Sequence, residues 1–187
     1  KNGIVFLMEG ITDVQAAWLA GYKNCVASLG TSFTREQAFI FRRQVKKVVI
    51  VYDGDEAGRE AIHKTYKLFQ GLNYKIGVCV LPNGHDPYSY FAEHGNLDIL
   101  ISKTMSYNNY CLRLAFDNFY LNDNWSRRNG IFEKEIIPLL KDSTPKTLVD
   151  MVYRMAIRLT VPVDAIILDC DAAHPGLLQK FLKEETK

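Results

Sequence analysis

The sequence lacks long apolar runs and a strong charge of one sign. Its longest apolar runs, Ile4 to Met8 and Val48 to Tyr52, are far shorter than the roughly 20 residues that a membrane-spanning helix needs. Lys and Arg number 23 and Asp and Glu number 21, which leaves a formal net charge of +2. That charge is too small for a protein whose whole surface binds nucleic acid or an anionic membrane. We therefore expect no membrane partner, and a local site must hold any anionic ligand.

Cysteine is scarce and has no paired spacing. The sequence contains no C-x-x-C pair, and its cysteines have apolar neighbours, as in Val78-Cys79-Val80; the four are Cys25, Cys79, Cys111 and Cys170. This pattern predicts buried thiols rather than zinc ligands or disulfides. We therefore expect no zinc in this chain and a reducing, cytoplasmic location. The chain opens on Lys1 without a signal-peptide pattern, which indicates an internal piece of a longer protein.

What is present is the composition of a folded α/β protein. The 187 residues are 48% hydrophobic and 24% charged, as in one or two small domains. Short apolar runs that predict strands are Ile4 to Met8, Cys25 to Ser28, Lys47 to Tyr52 and Tyr74 to Leu81. Helical patterns between them run from Thr12 or Asp13 to Ala20, follow a capping box of Thr34 and Gln37, and run from Asp55 to Gly71. The alternation predicts a parallel sheet flanked by helices.

After about Gly95 the strand signals stop and helical spacing takes over. Apolar residues recur three and four apart over residues 108–121, 128–140 and 144–160. We therefore predict two domains, an α/β domain over residues 1–104 and an all-α helical subdomain over residues 105–187.

Acidic residues follow two of the predicted strands. Glu9 comes directly after the first apolar run, and Asp53 and Asp55 follow the third. In an open parallel sheet, ligands bind outside the carboxyl ends of the strands. Carboxylates that converge there repel one another unless a divalent cation neutralises them, and oxygen ligands favour Mg²⁺ or Mn²⁺ over zinc. The competing interpretation is that each cluster only caps a helix.

These acidic clusters resemble a known motif. Glu9-Gly10-Ile11-Thr12-Asp13 together with the segment from Asp53 to Arg59, DGDEAGR, is similar to the signature of the TOPRIM domain. The segments ASLGTSFT, over residues 27–34, and LPNGHDP, over residues 81–87, further resemble bacterial DNA primases of the DnaG type. The resemblance implies a TOPRIM sheet followed by the helical subdomain of the RNA polymerase domain.

The resemblance also implies site residues. Catalytic positions would be Glu9, Asp13, Asp53 and Asp55. Ligands of Mg²⁺ or Mn²⁺ would be Glu9, Asp53, Asp55 and Asp86. Nucleotide-binding positions would be Gly30, Thr31 and Arg59. The sequence departs from the family pattern at Tyr88, where such primases have a second Asp two residues after the first.

The activity implied by the resemblance is nucleotidyl transfer that makes RNA primers from NTPs on single-stranded DNA. In that family the segments that grip DNA precede the TOPRIM domain, so we expect this chain alone to be an incomplete enzyme. Contact with the replicative helicase would use a region outside this chain.

Other functions remain open on the sequence alone. A TOPRIM nuclease would use the same carboxylates to cleave DNA, whereas a topoisomerase needs a breakage domain for which 187 residues leave no room. A phosphatase of the haloacid dehalogenase type would carry its Asp-x-Asp pair after the first strand rather than the third. A scaffold that binds DNA or helicase without catalysis would not need a metal ion.

Overall fold

The computed structural model describes residues 3–28, 33–40, 44–141 and 160–173, together with residues 149, 152, 153, 156, 157, 175 and 176. The chain divides into two compact units, Lys1–Tyr107 and Asn108–Lys187. We refer to them as the α/β unit and the helical unit. The division predicted at residues 104 and 105 remains a proposal for the domain boundary.

The α/β unit contains a five-stranded mixed sheet. Its strands are β1 (Ile4–Met8), β2 (Cys25–Ala27), β3 (Lys47–Ile50), β4 (Lys75–Val78) and β5 (Met105–Ser106). The strand order is β2-β1-β3-β4-β5. The first four strands pair in parallel, as predicted, and β5 pairs antiparallel with β4. The prediction that strands end near Gly95 was therefore wrong for this two-residue edge strand.

Helices cover the sheet and connect its strands. They are α1 (Ile11–Leu19), α2 (Arg35–Ile40), α3 (Glu56–Phe69), α4 (Pro87–His94) and α5 (Asp98–Ser102). The central strands β1 and β3 are almost entirely buried, because helices pack against both of their faces. The capping box predicted at α2 is confirmed: the Thr34 N–H donates to Gln37 Oε1 at 2.8 Å, and the Gln37 N–H donates to Thr34 Oγ1 at 3.3 Å.

The helical unit has an apolar core of its own. Helix α6 (Tyr107–Leu121) precedes α7 (Trp125–Ile131), which continues through a π-helical turn, Phe132–Ile136, into α8 (Ile137–Lys141); α9 covers Val163–Ala173. The buried side chains include Leu112, Phe116, Phe119, Phe132, Ile136 and Ile166. Most of the helix predicted over residues 144–160 lies outside the described residues. In the part of the chain that is described, no helix is both long and apolar enough to cross a bilayer.

Candidate functional site

The strand order places a crevice between β1 and β3. From β1 the chain passes to β2 on one side, and from β3 it passes to β4 on the other. Ligands bind at such a reversal, outside the carboxyl ends of the strands. Glu9 directly follows β1 and Asp53 lies three residues beyond the end of β3. The topology therefore brings both predicted acidic positions to the same edge.

The Glu9 carboxylate has only part of its hydrogen-bonding capacity filled at this edge. Its carboxylate accepts a hydrogen bond from the backbone N–H of Asp53. Its Oε1 atom is buried and, among the described residues, has no hydrogen-bond partner. Burial raises the pKa of Glu9 above 4.5, and the charges of Asp13 and Asp55 raise it further. A buried carboxylate oxygen without a donor favours a proton or a cation beside it.

Asp53 lies at the centre of the acidic edge. Burial raises its pKa from 3.8 to about 6, and the neighbouring carboxylates of Glu9, Asp13, Asp86 and Asp55 contribute to the rise in that order. The negative charges thus crowd around one side chain. Ionised Asp53 is destabilised in the folded chain unless something positive offsets its neighbours.

Two glycines allow the backbone around Asp53 to pack closely. A Cβ atom on Gly54 would lie 2.1 Å from the Pro82 carbonyl oxygen, and one on Gly58 would lie 2.2 Å from the Asp53 carbonyl oxygen. The Gly54 N–H also donates to the His85 carbonyl at 2.9 Å. Any other residue at either position would move the backbone that carries Asp53. At Gly58 the missing side chain lets the first turn of α3 lie against the Asp53 backbone.

Asp55 and Asp86, besides adding negative charge to the edge, are each the N-cap residue of a helix. Asp55 Oδ1 accepts from the Gly58 N–H at 2.8 Å at the start of α3. Asp86 Oδ1 accepts from the Ser89 N–H at 2.6 Å at the start of α4. These bonds from Ser89 lower the pKa of Asp86 below 3.8. One oxygen of each carboxylate is therefore engaged by a helix terminus at the edge, and for Asp86 these bonds favour the ionised form.

Asp13 is buried and fully bonded. The Gly10 N–H donates to Oδ2 at 2.9 Å, and the Tyr88 N–H donates to Oδ1 at 3.1 Å. Only 5% of the residue is exposed. Burial raises the pKa of Asp13, and the charge of Asp86 adds to this rise. Asp13 thus links the start of α1, next to Glu9 in the chain, to the first turn of α4, which begins after Asp86.

A groove of about 520 Å³ opens at this edge. Its lining includes the side chains of Glu9, Asp13, Asp53 and Asp86 at one end and residues of α3 at the other. Within the described ranges, no three acidic, histidine or cysteine side chains already enclose a single point as metal ligands would. The carboxylates thus form an open acidic surface rather than a closed cage.

Comparison with known proteins matches this architecture. A family model described as Toprim-like matches residues 6–91. The chain contains a TOPRIM domain of the bacterial primase type. It is 44% identical over 95 residues to the DNA primase of Halalkalibacterium halodurans, covering 51% of this chain and 16% of that protein. It is 31% identical over 150 residues to the DNA primase of Clostridium acetobutylicum, covering 78% of this chain and 25% of that protein.

A solved primase structure extends the likeness beyond the TOPRIM domain. The RNA polymerase domain of the Mycobacterium tuberculosis primase, in complex with a double-stranded DNA oligomer with a 6-nucleotide overhang, is 29% identical, with a TM-score of 0.58. The match covers 81% of this chain and 50% of that one. The chain thus spans only a quarter or less of the curated relatives described above and half of this domain.

The predicted nucleotide-binding residues and Tyr88 lie in different settings. Gly30 and Thr31 lie outside the described residues. Arg59 pairs with Glu56 at 3.1 Å on α3. Tyr88 contributes its backbone N–H to Asp13, while 54% of the residue is exposed. An aromatic residue therefore stands at the surface where the resemblance implies a second carboxylate.

The sequence interpretation did not assign the far end of the groove to the site. The TOPRIM groove continues past Asp53 along α3, where Ala57, Ala61, Lys64 and Leu68 line it. The sequence does show that these four residues share one face of the helix, because they recur at spacings of three and four. No function was assigned to this face from the sequence.

Proposed function

We propose that this chain is the metal-binding catalytic part of a DNA primase, which transfers nucleotides to make RNA primers on single-stranded DNA. The observation that carries the proposal is the convergence of Glu9, Asp53, Asp55 and Asp86 at the switch point of a primase-type TOPRIM sheet. A DNA template is supported by the M. tuberculosis primase domain, which is bound to DNA with an overhang. In the cell this activity would belong to cytoplasmic replication.

The residues present fit a divalent cation. Glu9 has a buried oxygen without a partner, and Asp53 is destabilised as an anion by its neighbours. Glu9 and Asp53 would hold Mg²⁺ or Mn²⁺, with Asp55 and Asp86 adding charge and an oxygen at the rim. A bound ion of this kind supplies neutralisation of triphosphate charge and a lower pKa for the attacking hydroxyl. An open acidic surface suits Mg²⁺, which keeps waters and shares its coordination with substrate phosphates.

The chain's own residues would then orient the reactants. Asp13 is a positioning residue, since both of its oxygens are committed to backbone N–H groups. The Asp53 N–H fixes the Glu9 carboxylate, and the two helix caps fix Asp55 and Asp86. Rigidly held carboxylates favour one geometry for the incoming NTP. The DNA-gripping segments and the helicase contact would lie in parts of the protein outside this chain.

The test is to incubate the chain with Mn²⁺, labelled NTPs and a single-stranded DNA template. We expect NTP binding that requires Mn²⁺, intact template, and few or no primers, because the DNA-gripping segments are missing. Cleavage of the template would favour the nuclease alternative. No metal-dependent NTP binding would contradict the primase proposal, and abundant primer synthesis would show that the active site is complete in this chain.

A further inference from the structure

The α/β unit separates its acidic and basic residues along the chain. Three long segments, residues 14–35, 37–52 and 61–85, contain no Asp or Glu but carry nine Lys or Arg residues. The acidic residues of this unit lie before, between and after these segments, as Glu9 and Asp53 do. The near-neutral total of +2 therefore arises from regions of opposite sign.

The topology carries these segments to the edge of the sheet opposite the carboxylates. Strands β1, β3 and β4 run parallel, so they begin at one edge and end at the edge where Glu9 and Asp53 lie. We call the first of these the amino edge; it includes Lys46, Lys47 and Lys75. Helix α3 connects the two edges, and its 14 residues span about 21 Å at 1.5 Å per residue. The amino edge is thus remote from the acidic edge.

Three lysines lie side by side at the amino edge. Lys47 and Lys75 are the first residues of β3 and β4 and are partners in the parallel ladder, and the Lys75 N–H donates to the Lys46 carbonyl at 3.0 Å. Lys46 and Lys75 are exposed and Lys47 is half-buried. Because neighbouring strands lie only about 4.8 Å apart, the three positive charges are held close together.

No acidic side chain offsets these three charges in the part of the chain that the structure describes. Arg59 and Lys64 on α3 each pair with a glutamate, whereas the three lysines of the amino edge form no ion pair there. Like charges on neighbouring strands repel one another and oppose folding. Arg42 and Arg43 precede the group in the sequence, outside the described residues. The amino edge therefore favours a ligand that carries several negative charges.

We infer that the amino edge binds the phosphate backbone of a single-stranded DNA template, as a second contact remote from the acidic edge. The identity of the strand rests on the proposed function. Exposed lysines are flexible point charges that contact phosphates in any sequence. A new primer would be made at the acidic edge, whereas a template of about six nucleotides at 3.4 Å each could already reach from one edge to the other. The contact would hold the strand without reading its bases.

The experiment measures the binding of a labelled oligothymidylate of about 12 nucleotides by fluorescence anisotropy over a range of salt concentrations. EDTA is present and NTP is absent, so that no cation draws DNA to the acidic edge. Lys46→Gln combined with Lys75→Gln should weaken binding about fivefold or more at low salt. The slope of log affinity against log salt should fall in magnitude by about 1.4, which is 0.7 for each lost phosphate contact. Lys46→Arg combined with Lys75→Arg keeps both charges and should bind as the unaltered chain does.

The matched control is Lys103→Gln combined with Lys134→Gln. Both positions are exposed, and this variant loses two positive charges, as the amino-edge variant does. The formal net charge therefore falls from +2 to zero in each. We expect the control to change DNA affinity less than about twofold, because charges far from the bound strand are screened by salt.

Several results would overturn the inference. They are unchanged DNA binding in Lys46→Gln with Lys75→Gln, an equal loss in the control, tighter binding of an RNA of the same length, and equal binding of polyglutamate of the same charge. The last would assign the amino edge to an acidic protein segment. In each case Mn²⁺-dependent NTP binding would persist and the proposed function would stand. Absent NTP binding with DNA binding at the amino edge intact would contradict the proposed function alone.

Discussion

The two units of this chain bury different kinds of side chain. Within the described residues the core of the helical unit consists of apolar and aromatic side chains, and the buried polar atoms of this unit include the hydroxyls of Tyr110 and Tyr120 and one carboxylate oxygen of Asp171. In the α/β unit, by contrast, Asp13 and Thr65 are buried, and the half-buried Glu9 and Asp53 lie beside further carboxylates. Buried charge without a partner opposes folding, whereas buried apolar area favours it. The difference indicates that the edge of the sheet is arranged for a ligand, while the helical core is arranged for stability.

The largest expected effect is in the helical core. Phe116 is fully buried on α6, so Phe116→Ala should lower the free energy of unfolding by about 3–5 kcal/mol. Urea denaturation followed by circular dichroism measures it. Leu121→Ala on the same helix is the control, because Leu121 is 79% exposed and its loss should change stability by less than about 0.5 kcal/mol. Equal effects of the two would mean that Phe116 does not support the core.

A smaller effect is expected at Asp13, the bonded carboxylate of the α/β unit. Asp13→Ala leaves the N–H groups of Gly10 and Tyr88 without their acceptor, and should lower the free energy of unfolding by about 1–3 kcal/mol. Asp13→Asn keeps one acceptor oxygen and should lose less. The same urea titration compares them. If Asp13→Ala were as stable as the unaltered chain, the positioning role would be wrong.

The smallest effect is expected at Tyr88, at the rim of the acidic edge. Tyr88→Asp adds a carboxylate at a half-exposed position near Asp86, and should tighten the weakest Mn²⁺ site or add one. An alternative is that Glu93 supplies the metal-ligating oxygen in place of a carboxylate at position 88. Its side chain is 62% exposed, and its Oε2 atom lies 3.7 Å from His85 Nε2. Glu93→Gln should therefore leave Mn²⁺ stoichiometry unchanged in calorimetry. If Glu93→Gln bound fewer Mn²⁺ ions and Tyr88→Asp bound no more than the unaltered chain, Glu93 would be the ligand and the role inferred for position 88 would be wrong.

Much of the α/β unit could be predicted because its signals are local. Apolar runs predicted four strands, and the Thr34 and Gln37 spacing predicted a helix start that the structure confirms. Strand β5 could not be predicted, since two residues carry no periodicity and it depends on pairing with β4. Helix α4 was missed although Asp86 and Pro87 have the cap and first-turn chemistry of a helix start, because the segment was interpreted only as a motif.

The acidic edge could be predicted in part. Glu9 and Asp53 follow strands, so topology alone brings them together. The Asp86 cap is a local contact with Ser89, but the hydrogen bond from the Tyr88 N–H to Asp13 spans 75 residues of sequence, and no local pattern encodes it. The extension of the groove along α3 depends on which face of that helix remains open, which the spacing of Ala57 and Ala61 alone does not give.

The central claim is that the acidic edge is destabilising without a cation, and Asp53 tests it. Its pKa is raised from 3.8 to about 6, so the folded, metal-free chain holds this proton more tightly than the unfolded chain does. Its contribution to stability is therefore present below about pH 4 and lost as pH rises through about 6.

The most direct measurement is thermal unfolding of the unaltered chain and of Asp53→Asn between pH 4 and 7, with and without Mn²⁺. Without metal, we expect Asp53→Asn to become the more stable of the two as pH rises through about 6, because it carries no charge at the crowded position. With Mn²⁺ above that pH, the unaltered chain should gain stability and Asp53→Asn should gain little. A metal-free Asp53→Asn chain that is less stable at neutral pH, or equal stabilisation of both by Mn²⁺, would contradict the claim.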